Sequence, residues 1–157
     1  MAMLDRLDLR LLAELQADAT ATAADLAQRL PLSPSQISRR RQRLEAEAYV
    51  TGYRATLAPE RLGLSVEAFV EVTMSAHTEA NARDFRALAC RQPEVTGAWT
   101  LTGETDYLIR VHCTDLAALN RLVQDVLLPH PAVARVRSQI VMERVKPDAP
   151  LPIPEAP

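Results

Sequence analysis

Apolar and polar positions change period partway along the chain. Leu7, Leu11, Leu12 and Leu15 recur at helical spacing, so residues 5–18 read as a first helix that Asp5 can cap. Asp18-Ala19-Thr20 interrupts it. Thr22 can cap a short second helix, Ala23 to Leu30, with Leu26 and Leu30 inward. Pro31-Leu32 leaves room only for a tight turn. Ser33-Pro34-Ser35-Gln36 then writes a third helix start: Ser33 as cap, Pro34 where a missing N–H is harmless, Gln36 reaching back to the cap. In this helix Ile37 and Leu44 form a thin apolar stripe, and it ends near Ala48. Tyr49 to Leu57 mixes β-branched and aromatic residues around Gly52, which predicts a short strand or hairpin. Residues 57–65 are turn-rich, and a domain boundary is expected there.

Beyond it the period becomes two. Val66, Ala68, Val70, Val72 and Met74 alternate with Glu67, Phe69, Glu71 and Thr73, a strand with one buried face. Thr78 to Arg91 reads as a helix, Val95 to Leu101 and Tyr107 to Cys113 as strands joined by a turn at Gly103. A helix follows in which Leu116, Leu119, Val123, Val126 and Leu127 share a face, then a long strand, Val133 to Val145. Strand, helix, strand, strand, helix, strand is the split βαβ order: four antiparallel strands with both helices on one face. The uncovered face holds apolar positions too, which predicts a dimer formed sheet to sheet. Residues 147–157 contain five of the eleven prolines and no periodicity, and are expected to be a loose tail. The expected fold is α+β: a winged helix-turn-helix domain (1–56), a linker (57–65), a ferredoxin-like βαββαβ domain (66–146) and a Pro-rich tail (147–157).

Charge sharpens the reading of the third helix. The net charge is −2, which argues mildly against nucleic acid, but residues 1–56 carry eight arginines against seven carboxylates, and four of the eight fall between Arg39 and Arg43. An arginine run by itself is usually a solvated face. Placed second in a pair of helices joined by a tight turn, it becomes a recognition helix for a DNA major groove. Arg39, Arg40 and Arg43 are candidates for phosphates, and Ser35, Gln36, Ser38, Arg39 and Gln42 for base edges, with Ser33 at the helix start. The N-terminal half normally meets the bases, which favours Ser35, Ser38 and Arg39. Two alternatives stay open: Gln36 serving only the cap, and Arg40 tying the helix to a carboxylate of its own domain.

Other chemistry is thin. Cys90 and Cys113 form no CxxC and the three histidines are isolated, so neither a disulfide framework nor a metal centre is expected, and no cofactor. No apolar run approaches a membrane span and the start lacks a signal-peptide pattern, so a cytoplasmic location is expected. No nucleophile–base pair or phosphate loop supports an enzyme; His112 and Cys113 are strand neighbours pointing to opposite faces.

The segments LDRLDLRLLAELQAD, LAQRLPLSPSQISRRRQRLE, YVTGYRATLAPERLGL, TGETDYLIRV and LPHPAVARVRSQIVMERVK, in this order, resemble the Lrp/AsnC family of regulators from about Leu4 to Lys146. The resemblance implies double-stranded DNA as a partner, amino-acid effectors, and homodimers assembled into tetramers or octamers. It places the effector at the Gly103 turn: Thr102, Gly103, Asp106 and Tyr107, with Trp99 lining the side-chain part and Ser138 contributed across a dimer–dimer boundary. Backbone N–H groups at Gly103 could hold a carboxylate and Asp106 an ammonium group; read from spacing alone, the same residues would simply make a hairpin. Three departures from the family pattern are Pro31 near the usual turn glycine, Arg41 at a usually aliphatic position, and Ala48 for the glycine that commonly ends the helix. The function expected is a sequence-specific transcriptional regulator tuned by a small molecule; the alternative is an architectural DNA-binding protein that senses nothing.

Overall fold

The computed structural model describes residues 4–154. They fall into two compact units, one comprising residues up to Thr56 together with Lys146 onward, the other Leu57–Val145.

In the first unit α1 (Arg6–Ala17), α2 (Ala23–Arg29) and α3 (Pro34–Ala46) each begin with a capping box. The reciprocal pairs are Asp5 with Asp8, Thr22 with Asp25, and Ser33 with Gln36. Leu11, Leu15, Leu26, Leu30, Ile37 and Leu44 close over one another as the core. Removing these six buried Leu and Ile side chains from water supplies ~1.5–3 kcal/mol each before chain entropy is counted. The α2–α3 turn runs through Pro31, and the helix-turn-helix is present as expected.

Ala48 follows the α3 cap with φ 60°, and Tyr49 N–H donates to the Leu44 carbonyl at 2.9 Å. This is the helix ending that glycine normally makes, built here with a Cβ in the left-handed region.

The expected wing is a correction. Tyr49–Leu57 contains no strand: no β-ladder forms along it, and Tyr49 and Val50 N–H donate to the Leu44 carbonyl. Tyr53 instead turns back on α3, its hydroxyl donating to Glu45 Oε1 at 2.8 Å. In the tail, Leu151 is hydrogen-bonded to Gln16 of α1 in both directions.

The second unit holds β1 (Val66–Met74), α4 (Glu79–Arg91), β2 (Val95–Thr100), β3 (Tyr107–Cys113), α5 (Leu116–Arg121, continued by a π-helical segment Leu122–Leu127) and β4 (Val133–Ile140). The strands lie antiparallel in the order β2-β3-β1-β4, the ferredoxin-like arrangement. Ala68, Val70, Val72, Ile109 and Val111 face the helices and pack on Phe85, Leu119 and Leu127. β4 is shorter than expected. Ala68 pairs with Ile140 and Val141 N–H still reaches the Glu67 carbonyl at 2.9 Å, but β1 starts at Val66, so the β1–β4 ladder stops there.

The opposite face of the sheet is mixed rather than apolar. Glu67 is the hub of a polar group: it accepts from Arg110 at 2.7 Å and from Arg144 at 2.8 Å and stands across from His112. Phe69 and Leu108 are half-buried on the same face. Trp99 lies folded over Gly97, where a Cβ would stand 2.5 Å from the ring.

Candidate nucleic-acid interface and effector site

The side chains of α3 sort onto separate faces. Ile37 and Leu44 are fully buried. Arg40 and Arg43 turn toward α1 and grip one carboxylate: Arg40 Nη1 is 2.6 Å from Asp8 Oδ1 and Arg43 Nη2 is 2.5 Å from Asp8 Oδ2. Arg40 also reaches Asp5 Oδ2 at 2.7 Å. The Asp8 side chain is 1% exposed, so this is a buried charge with its lone pairs taken by two guanidinium groups and its own cap. Hydrogen bonds from Arg40 to Asp5 and Asp8 raise the Arg40 pKa, and the Asp8 bond raises that of Arg43. Burial pushes the Asp5 carboxyl up, yet the Asp8 N–H and the Arg40 guanidinium outweigh it and hold Asp5 below the usual carboxylate range.

Arg41 lies on a third side. Its Nε donates to Glu45 at 3.2 Å and to the Tyr53 hydroxyl at 3.1 Å, and its guanidinium sits 4.8 Å from the Tyr53 ring centroid. Arg41, half-buried, thus lays its guanidinium on an aromatic ring of its own unit.

Ser35, Ser38, Arg39 and Gln42 are exposed, as are Glu45 and Ala46 at the end of the helix. The first four positions are spaced i, i+3, i+4 and i+7, one continuous stripe along the helix. Among the described residues Arg39 has no ion-pair partner. Ser33 and Gln36 are exposed but engaged in the cap, Gln36 Oε1 accepting from Ser33 N–H at 2.9 Å. The sequence reading missed Asp8. Its signal was available: positions 8, 11 and 15 form the inward stripe of α1, and a charge on such a stripe requires a partner.

In the second unit Gly103 (φ 109°) makes the β2–β3 turn in a backbone region that suits glycine. Asp106 is a fastener there. Its N–H donates to the Val72 carbonyl at 3.0 Å, its Oδ2 accepts from Met74 N–H at 2.7 Å, and its Oδ1 lies 3.3 Å from His77 Nδ1. Asp106, Tyr107, Thr100 and Leu101 share a cleft of about 260 Å³ with Met74, His77 and Thr78. Tyr107 is 7% exposed and stacks on Phe85, so its ring belongs largely to the core. Trp99 is on the other face of the sheet, 48% exposed. Thr102 and Gly103 are exposed at the turn, and Ser138 lies opposite Val70 on β4, the edge strand farthest from β2. Within one chain, therefore, Asp106 and Tyr107 meet in a cleft while Trp99 and Ser138 stand apart from it. No sequence signal pointed to His77 and Thr78.

Comparison with known proteins gives two family matches. Residues 4–45 match the AsnC-type helix-turn-helix domain, and residues 67–151 match the Lrp/AsnC ligand binding domain. The chain is 34% identical to the leucine-responsive regulatory protein of Salmonella typhimurium, covering 91% of this chain and 87% of that one. It is 37% identical to the Bkd operon transcriptional regulator of Pseudomonas aeruginosa, covering 92% and 95%. Among solved structures, a transcriptional regulator from Neisseria meningitidis in complex with L-Met superposes with a TM-score of 0.91 at 37% identity, over 96% of this chain and 97% of that one. Among the described residues no helix is long and apolar enough to cross a membrane.

Proposed function

The chain belongs to the Lrp/AsnC family of transcriptional regulators, and from that premise we propose that α3 reads DNA through Ser35, Ser38, Arg39 and Gln42. The observation that carries this is the division of labour on α3. Arg40, Arg41 and Arg43 are committed to carboxylates and an aromatic ring of their own unit, and the exposed stripe combines short hydroxyls, an amide and one uncommitted guanidinium. Such a stripe suits base edges and phosphates. Arg40 and Arg43 set the angle at which the stripe is presented, and Ser33 and Gln36 fix where the helix begins.

The second unit senses an amino acid at the Gly103 hairpin. Thr102 and Gly103 offer N–H groups for the carboxylate, and Asp106 Oδ1, facing the cleft, meets the ammonium group. Tyr107 and Trp99 border the region, and Ser138 comes from a neighbouring copy, since β4 is at the far edge of the sheet. The L-Met held by the similar regulator from Neisseria meningitidis supports an amino acid as the ligand class. The chain acts as a dimer joined through the open face of the sheet, assembled further into tetramers or octamers. The dimer sets two α3 helices ~34–36 Å apart, one turn of DNA or a multiple of it.

A mobility shift with the DNA upstream of the protein's own gene tests the reading. Arg39→Ala is expected to weaken binding by ~1–3 kcal/mol without lowering thermal stability. Salt-insensitive binding, or an Arg39→Ala variant with unchanged affinity, would sink it. A thermal-shift screen of the twenty amino acids tests the sensing half, because a ligand that binds only the folded assembly raises its melting temperature.

A further inference from the structure

α1 carries more apolar surface than its helical bundle uses. Leu11 and Leu15 are buried in the core. Leu4, Leu9 and Leu12 lie beside that stripe and, with Tyr49 and Val50 after α3, line a cleft of about 470 Å³. Residues 151–154 form one wall of this cleft, facing α1 and the segment after α3. The seat has a polar anchor: Gln16 Nε2 donates to the Leu151 carbonyl at 3.2 Å, and Leu151 N–H donates to Gln16 Oε1 at 2.8 Å. A side-chain amide that gives and takes on one residue pairs with the backbone as a neighbouring strand would. Leu151 is accordingly held by its main chain, its residue 77% exposed, whereas Ile153 is half-buried. Pro150, Pro152 and Pro154 bias the segment to an extended form, so seating it costs little chain entropy.

We infer that this cleft is a docking groove for the chain's own C-terminal segment, and that the docked segment is a second tether on the DNA-binding unit. The chain passes between its two compact units twice, after Thr56 and after Val145. With residues 151–154 seated, the helix-turn-helix is held through both passages rather than swinging on residues 57–65 alone. A doubly held reading head loses less freedom when two copies engage one DNA, so the tether acts on paired sites. That consequence, unlike the docking itself, rests on the DNA-reading function proposed above.

The test uses the full chain, a chain ending at Lys146, and a labelled peptide of residues 147–157. The peptide is expected to bind the shortened chain saturably and the full chain poorly, because there Gln16 is already paired with the chain's own Leu151. Gln16→Ala in the shortened chain, an exposed helix position where alanine does not threaten folding, is expected to weaken the peptide about tenfold. On DNA, the shortened chain is expected to lose several-fold in affinity for a fragment with two half-sites and none for a single half-site. Absence of peptide binding, or binding indifferent to Gln16→Ala, overturns the docking groove. Intact peptide binding with unchanged two-site affinity overturns the tether. A drop in assembly mass on shortening the chain overturns docking by the chain's own tail in favour of a tail from another copy. If no DNA is bound by any variant, the DNA reading fails and the peptide arm still decides the groove.

Discussion

Arg40 Nη1 stands 2.6 Å from Asp8 Oδ1, and the Asp8 side chain is 1% exposed. This pair, with Arg43 on the other carboxylate oxygen, fixes the recognition helix to α1 by charge where the apolar stripe of α3 is thin. With Arg41 held by Glu45 and Tyr53, it leaves Arg39 as the one of the four arginines between Arg39 and Arg43 without an ion-pair partner among the described residues. Asp8→Asn keeps an acceptor for the cap and removes the charge facing two guanidinium groups. Breaking a buried pair from one side typically costs 3–5 kcal/mol; because Arg40 keeps Asp5 and Arg43 can turn toward water, about 3 kcal/mol is expected here. Urea denaturation of the variant checks it, and a loss under 1 kcal/mol would show the cluster to be surface decoration.

Ala48 is the place where the chain departs from glycine and retains the glycine conformation, φ 60°. A left-handed alanine costs ~1–2 kcal/mol. Glycine removes that strain but gives back part of it, ~0.4–1 kcal/mol, through a freer unfolded chain. Ala48→Gly is therefore expected to stabilise the first unit by about 0.5–1 kcal/mol, read as a higher denaturation midpoint at unchanged slope.

Gly97 and Trp99 test the open face of the sheet. A Cβ at residue 97 would meet the indole at 2.5 Å, with two further ring carbons at 3.1 Å. The ring is half-exposed, so it would swing away rather than strain the strand. Gly97→Ala is expected to shift the fluorescence of this sole tryptophan to the red, toward a solvated indole, with folding stability changed by under ~1 kcal/mol. An unshifted emission maximum would mean the ring does not rest on Gly97 in solution.

The parts of the fold that are local were legible in the sequence, and the parts set by distant partners were not. All three helix starts in the first unit could be read from four-residue stretches, because a capping box closes within one turn. The alternation in Val66–Met74 announced β1 and its inward face by itself. The end of β4 was beyond reach, because it depends on where β1 begins, some seventy residues earlier. Arg40 could be left open between DNA and a carboxylate, but choosing Asp8 requires knowing which side of α1 meets α3. The wing failed for the same reason: β-forming residues make a strand only when something pairs with them. At the hairpin, Gly103 could be read as the turn residue from the sequence, while the cleft beside Asp106 is completed by His77 and Thr78 from the segment after β1, which no spacing connects to it.

His112 offers a pH test of the second unit. It is 8% exposed, pairs across the sheet with Glu67, and its Nδ1 lies 3.0 Å from Thr96 Oγ1. Burial pushes its pKa below the ordinary histidine value; Glu67 at 3.8 Å pulls it up, and Arg110 and Arg144 push it down. The folded state therefore binds its proton less readily than the unfolded chain. Between ~6.5 and the lower folded value the unfolded state holds more protons, so stability is complete above pH ~6.5 and falls as the pH drops, by at most ~1.4 kcal/mol per pH unit. Glu67 works in a separate window. Burial raises its pKa, but Arg144 and Arg110 outweigh that and hold it below the usual range, so its contribution is lost only under more acidic conditions. His112→Gln retains a partner for Thr96 and cannot take a proton. Denaturation midpoints followed from pH 7.5 to 5 should decline in the parent and flatten in the variant. Equal slopes in the two proteins would place the titrating group elsewhere.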